Sequence, residues 1–247
     1  DMAMYTSDVS TNDSYRRFDC TPLGGGIAST WNAAYKGVEY ANNFIYQLEN
    51  SPLYTAEDNE DLLQMMGEAK VMRAMFYHDL ITLFGDIPFS MSPMSGTDDN
   101  KSLLLPVTDR EEVHKALIED LKGIAPKMQF AADLSGGVER VSKEFCWAMI
   151  ARMALSCGGY SLRPDTSDPS SYGSMKRPAN YQDYYKIARD YCDSVIVSGR
   201  HSLSLPYNQV FINECNYVVV NNDDPIFEIP FAKNSTGNIG YIQGPTS

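Results

Sequence analysis

The stretch from Gly67 to Phe89, GEAKVMRAMFYHDLITLFGDIPF, constrains this chain more than any other. Ala69, Met72, Phe76, Leu80 and Leu83 recur at spacings of three and four, the period of a buried helical stripe. Gly85 and Pro88 then supply a helix stop. Glu68 and Arg73 flank that stripe, where charged groups serve packing and orientation. Arg73 is expected to pair with a carboxylate or carbonyl groups of a neighbouring helix and so hold helix pairs in register. His78 has no second His or Cys at ligand spacing, so a satisfied helix residue is expected there rather than a metal ligand.

The same period predicts four more helices. One covers 29–48, with Trp31, Ala34, Tyr35, Val38, Ala41, Asn42 and Ile45 on one broad stripe. The central helix is expected to start near Thr55, with Thr55 and Asp58 as a capping pair. Another begins at Thr108 or Asp109, carries Val113, Leu117, Leu121 and Ile124, and ends before Pro126. A further one follows Ser142, contains Phe145, Trp147, Met149, Ala151 and Leu155, and stops at Gly158-Gly159. The last spans 180–197, with Tyr184, Ile187, Ala188, Tyr191 and Val195, and ends at Gly199. Helical spacing places both Trp31 and Trp147 in the core. Successive helices that mix small residues with large aromatics suggest stacked pairs of the tetratricopeptide type, with unequal connections at 90–107 and 161–178 read as loops. Strands are expected at 217–220 and 226–231, separated by the turn residues Asn221 to Pro225.

A formal charge of −12 disfavours nucleic acid and anionic lipid surfaces, while neutral ligands meet no such repulsion. Sixteen tyrosines offer apolar rings with polar tips, which suit sugar faces as well as ordinary interfaces. Five cysteines cannot all pair within the chain; Cys146, Cys157 and Cys192 fall in helical patterns, where free cysteine behaves as a small buried hydrophobe. No C-x-x-C, G-x-S-x-G, H-E-x-x-H, Walker or G-x-G-x-x-G pattern occurs.

The central helix resembles the form G-E-A-K-x-x-R-A-x-x-Y-x-x-L-x-x-x-F-G-D-x-P of the SusD/RagB family of surface nutrient-binding lipoproteins. The likeness continues in the family's order. Trp31-x-x-x-Tyr35 with Ala41-Asn42 is similar to its first helix, and Glu111-Glu112-Val113 through Asp120-Leu121 to its E-E-V-x-x-x-I-x-x-D-L helix. Ala148 to Leu155, Tyr181 to Gly199 and Pro225 to Ile229 resemble three later elements, although Asp-Pro precedes the last one here. Roughly residues 28–232 are covered.

The resemblance implies an all-α, mostly helical SusD-like scaffold of tetratricopeptide-like pairs with a few short strands. It also implies one domain over 1–247, truncated at both ends: a loop-rich ligand-side segment at 1–28, a helical scaffold at 29–199 and a strand and loop tail at 200–247. The implied function is non-catalytic binding of glycans or oligosaccharides at the extracellular face of the outer membrane. Lipid anchoring, through an anchor this chain does not contain, and delivery to a SusC-like TonB-dependent transporter are implied with it. Two alternatives stay open: an all-helical glycoside hydrolase using a carboxylate pair, and a helical repeat scaffold that binds protein or peptide.

A glycan site needs flat aromatic faces and planar polar groups that bond adjacent hydroxyls. Two segments supply both. The first, before the helix at 29, gives Asp8, Asn12, Tyr15, Arg16, Arg17 and Phe18; the second, 160–181, gives Arg163 and Tyr172, with Asp165, Asp168, Arg177 and Asn180 nearby. With 32 Asp and Glu residues a carboxylate pair can always be proposed on paper, so acid pairs carry little signal and no catalytic residue is assigned. No cofactor is expected; Glu57 to Asp61 and Asn221 to Asp224 are the stretches that would admit a structural calcium ion, without EF-hand spacing.

Overall fold

Short polar side chains cap the starts of three helices, and glycines end two of them. In the computed structural model, which describes residues 25–54, 59–94, 105–165, 167–168 and 170–231, six α-helices dominate the described residues. They are α1 (Gly25–Glu49), α2 (Glu60–Phe84), α3 (Arg110–Ile124), α4 (Lys143–Cys157), α5 (Tyr181–Val197) and α6 (Tyr207–Cys215). Asn59 caps α2 by accepting from the Leu62 N–H, Asp109 caps α3 at Glu111, and Ser142 caps α4 at Phe145. The expected pair Thr55 and Asp58 lies outside the described residues, and Asn59 is the cap. Gly85, at φ 83°, turns the chain out of α2 in a conformation only glycine adopts without strain.

The first five helices pack in succession: α1 lies along α2, α3 bridges α2 and α4, and α4 lies along α5, with α4 also touching α2. This is the expected mostly helical, tetratricopeptide-like stacking. The core between them holds Val38 and Ile45 of α1, Met66, Val71, Ala74 and Tyr77 of α2, Val113, Leu117 and Leu121 of α3, and Phe145, Met149, Ile150 and Met153 of α4. α1 approaches α2 closely at Gly37, where a Cβ would lie 2.5 Å from the Phe76 ring. Gly37→Leu is therefore expected to wedge the pair apart at a cost of about 1–3 kcal/mol, read as a lowered thermal midpoint by circular dichroism.

The helix at 60–84 is rotated from its expected setting. Met72 and Leu83 of the expected stripe are 45% and 60% exposed, whereas Gln64, Met66, Gly67, Val71, Arg73, Ala74, Tyr77, Leu80 and Ile81 are buried. Neighbours on several sides bury more than one face, so the spacing alone does not choose among apolar stripes. Trp31 and Trp147 are half-buried and pack against the core. Cys146 and Cys157 are buried as expected, but Cys192 is exposed, because Tyr184 and Ala188 form the buried face of α5.

The expected strands at 217–220 and 226–231 do not form among the described residues. The second segment packs by side chains instead: Phe227 stacks on Phe145 at 4.2 Å, and only Glu228 N–H reaches a backbone partner, the Val138 carbonyl at 2.9 Å. Strands appear where loops were expected, as antiparallel pairs β1 (Ile87–Pro88) with β2 (Val107–Thr108) and β3 (Ser161–Arg163) with β4 (Ser174–Lys176). Helix α6 stands in the expected strand and loop tail; it has no buried residue, so its sequence shows no strong stripe.

Candidate functional site

The residues of the repeated patterns are occupied with one another. Arg73, 2% exposed, donates to Asp120 at 2.6 Å, to Asn42 Oδ1 at 2.7 Å and to the Met91 carbonyl at 3.1 Å. Lys70 holds the other Asp120 oxygen at 2.6 Å. Asn42 donates to the carbonyls of Ser90 and Ser92, Tyr77 to that of Ser90 and Tyr35 to that of Pro88. Arg73 thus pairs with a carboxylate and carbonyls of neighbouring segments, as the sequence suggests. These groups fasten the exit of α2 to α1 and α3, and both terminal nitrogens of Arg73 are engaged within the scaffold, while its buried Nε has no partner.

A cleft of about 810 Å³ opens at the end of α2. The C-terminal end of α2, the first turn of α3, the end of α4 and the β3–β4 hairpin line it, together with Tyr160, Arg177 and Pro178. Its charged residues are Arg110, Arg163, Lys176, Arg177 and Glu111. Arg110 pairs with Asp86 at 2.9 Å and lies against Gly85. Arg163 reaches Asp86 at 3.4 Å and also pairs with Asp109. That hydrogen bond is the main reason the Asp109 carboxyl is held below its usual range and the Arg163 guanidinium above its own. Glu111 accepts from the Tyr184 hydroxyl at 3.2 Å. The Arg177 guanidinium carbon sits 3.5 Å from the Tyr181 ring centre and 4.9 Å from that of Tyr160, whose ring is mostly exposed.

The deep part of the cleft supplies no strong base or nucleophile. His114 Nε2 lies 3.3 Å from His78 Nδ1, and burial, with the His78 charge adding to it, pushes His114 down to about 3. Burial lowers His78 too. His78 is therefore paired across helices, a contact that spacing along the chain does not reveal. Burial pushes the Cys157 thiol up to about 12, so it stays protonated at neutral pH. Among the described residues no group of three His, Cys, Asp or Glu could hold a metal ion. In the turn considered for calcium, Asp223 accepts from the hydroxyls of Ser202 and Ser204 and the amides of Ser204, Leu205 and Asp224, so the chain's own donors occupy it. The Ser204 hydrogen bond is the main cause that holds its carboxyl down to about 2. In the other acidic stretch, Glu57 and Asp58 lie outside the described residues and Glu60 and Asp61 form the first turn of α2.

Of the residues expected to meet a ligand, Asp8, Asn12, Tyr15, Arg16, Arg17 and Phe18 lie outside the described residues. Arg163 lines the cleft with its guanidinium committed to two carboxylates, and Tyr172, 97% exposed, lies away from the lining. Asp165 and Asp168 close their own turns onto Ser167 and Ser170. Tyr160 and Arg177 come together only when the hairpin brings the two ends of its loop side by side. The alternation of strand residues around Gly173 was the one signal that could have paired them. A second, smaller cleft of about 390 Å³ is lined by Trp31, Tyr35, Glu39 and Tyr77, among others. The Trp31 ring there packs on Tyr35 at 4.8 Å and on Phe84 at 4.9 Å.

Residues 2–155 match the SusD-like family model described as starch-binding and associating with the outer membrane. The fold is similar to a SusD homolog from Bacteroides thetaiotaomicron, with a TM-score of 0.72 and 23% identity over 92% of this chain and 40% of that one. It is also similar to a SusD superfamily protein from Parabacteroides distasonis (TM-score 0.69, 21% identity, 92% of this chain and 42% of that one). A SusD-like carbohydrate-binding protein from Bacteroides fragilis matches at TM-score 0.59 and 19% identity, over 78% of this chain and 31% of that one. The chain thus spans less than half the length of these structures. No curated protein sequence matches it.

Proposed function

This chain belongs to the SusD-like family, and we propose that it binds oligosaccharides at the outer face of the outer membrane without cleaving them and delivers them to a TonB-dependent transporter. The observation that carries this is the family match over residues 2–155. The outer-membrane association in the family's description and the carbohydrate binding named for the Bacteroides fragilis protein support it. Binding is selection by shape and hydrogen bonding, with affinity modest enough for release: a micromolar Kd corresponds to about 8 kcal/mol. Anchoring through a lipid completes the reading.

A glycoside hydrolase needs two carboxylates about 5–9.5 Å apart across the scissile bond. Glu111 is the one carboxylate among the residues lining the larger cleft, and the Tyr184 hydroxyl already bonds it. Incubation with a panel of neutral and acidic oligosaccharides is expected to give saturable binding by calorimetry and unchanged chain lengths by chromatography. Shorter products that vanish in Glu111→Gln, or in another single carboxylate variant, would replace binding by catalysis.

A further inference from the structure

We propose that the cleft between the end of α2 and the β3–β4 hairpin takes an anionic saccharide, and that Arg177 recognises the negative group. This rests on the reading of the chain as a saccharide binder and adds the charge of the sugar. Four cations line the cleft, and two of them are neutralised within the fold: Arg110 by Asp86, and Arg163 by Asp86 and Asp109. Lys176 and Arg177 are the other two, and among the described residues neither lies within ion-pair distance of a carboxylate. Asp165 feels the charge of Lys176, but its oxygen accepts from Ser167. Glu111, the carboxylate of the lining, bonds Tyr184. Set against Asp86, Asp109 and Glu111, the four cations leave this cleft at a formal +1 in a chain of net charge −12, a local reversal of sign that favours an anion.

The geometry also selects a sugar over a simple ion. The Arg177 guanidinium carbon lies over two tyrosine rings, which restrains the side chain before a ligand arrives, and a guanidinium held there can offer its N–H groups for a two-pronged bond to a carboxylate or sulfate. Tyr160, 62% exposed, with Leu162 and Met175 in the lining, presents apolar surface next to that group. A pyranose bearing a carboxylate or sulfate offers both complements on one ring: an apolar face for tyrosine and an anion for arginine.

The test is calorimetry on the 247-residue chain with tetragalacturonate, neutral galactotetraose and a sulfated tetrasaccharide. At least one anionic tetrasaccharide is expected to bind tenfold or more tighter than galactotetraose, and which one does so separates carboxylate from sulfate recognition. Arg177→Gln is expected to erase that preference, and Lys176→Gln to reduce it severalfold. If Arg177→Gln fails to fold by circular dichroism, Arg177→Lys, which keeps the charge and loses the fork, together with Lys176→Gln, decides the matter by the same preference. Equal binding of neutral and anionic sugars, or a preference that survives these variants, overturns the proposal. Neutral sugars bound with no anionic one bound defeats the charge assignment alone, whereas no saccharide bound at all defeats the saccharide-binding reading with it.

Discussion

Replacing Arg73 by Met is expected to cost about 3–5 kcal/mol of folding stability, the range for breaking one side of a buried ion pair. The loss does not come from the pair's own attraction, which desolvation largely offsets. It comes from what remains: Asp120 keeps Lys70, but Asn42 Oδ1 and the Met91 carbonyl lose their charged donor in a place water does not readily reach. Arg73→Lys keeps the charge and loses the fork that reaches three acceptors, so it should fall between wild type and Met. Urea titrations of the three proteins give the order. A Met variant within about 0.5 kcal/mol of wild type would mean that the network reorganises around the loss, and Arg73 would then not hold the helices in register.

Acidification from pH 6.5 to 5 is expected to destabilise the protein through His114 by about 2 kcal/mol, at about 1.4 kcal/mol per pH unit. His114 is held in the fold down to about 3 from an ordinary value near 6.5, so over this window the unfolded chain takes up a proton that the folded chain refuses. Stability from this source is therefore complete above the unfolded value and falls as pH drops towards the folded one. His78 shifts in the same direction. His201 runs the other way: the Glu144 carboxylate, 3.8 Å from its Nε2, raises it, so its contribution is present at low pH and lost as pH rises through its folded value. The comparison that isolates the pair is His114→Gln against wild type. The variant's stability should change less between pH 6.5 and 5, and an identical slope in the two proteins would remove His114 as the cause. Carboxylates titrate mostly below that window.

How much of the molecule was legible in the sequence depended on whether the information was local. The ends of α3, α4 and α5 followed from Asp109, Ser142, Gly158 and Gly199, because caps and stops act within one helical turn. The strands β3 and β4 were missed because a three-residue strand exists only through its partner, and the pairing of Ser161 with Lys176 crosses a loop. The candidate cleft was half visible. Arg163 could be chosen for its chemistry, but its commitment to Asp86 and Asp109 depends on residues 77 and 54 positions away.

The central helix divides the two kinds of knowledge most clearly. The amino-acid order by itself determined that the segment from Gly67 to Phe84 is helical, that it ends at Gly85 and that it carries the family's pattern, since propensity, period and glycine are properties of neighbouring residues. Only the tertiary structure decided which way the helix faces, that Arg73 is buried against Asp120, that His78 meets His114, and that Arg177 lies over two tyrosine rings. Burial and charge pairing are settled by what lies across the interface, and that information is spread over elements dozens of residues apart.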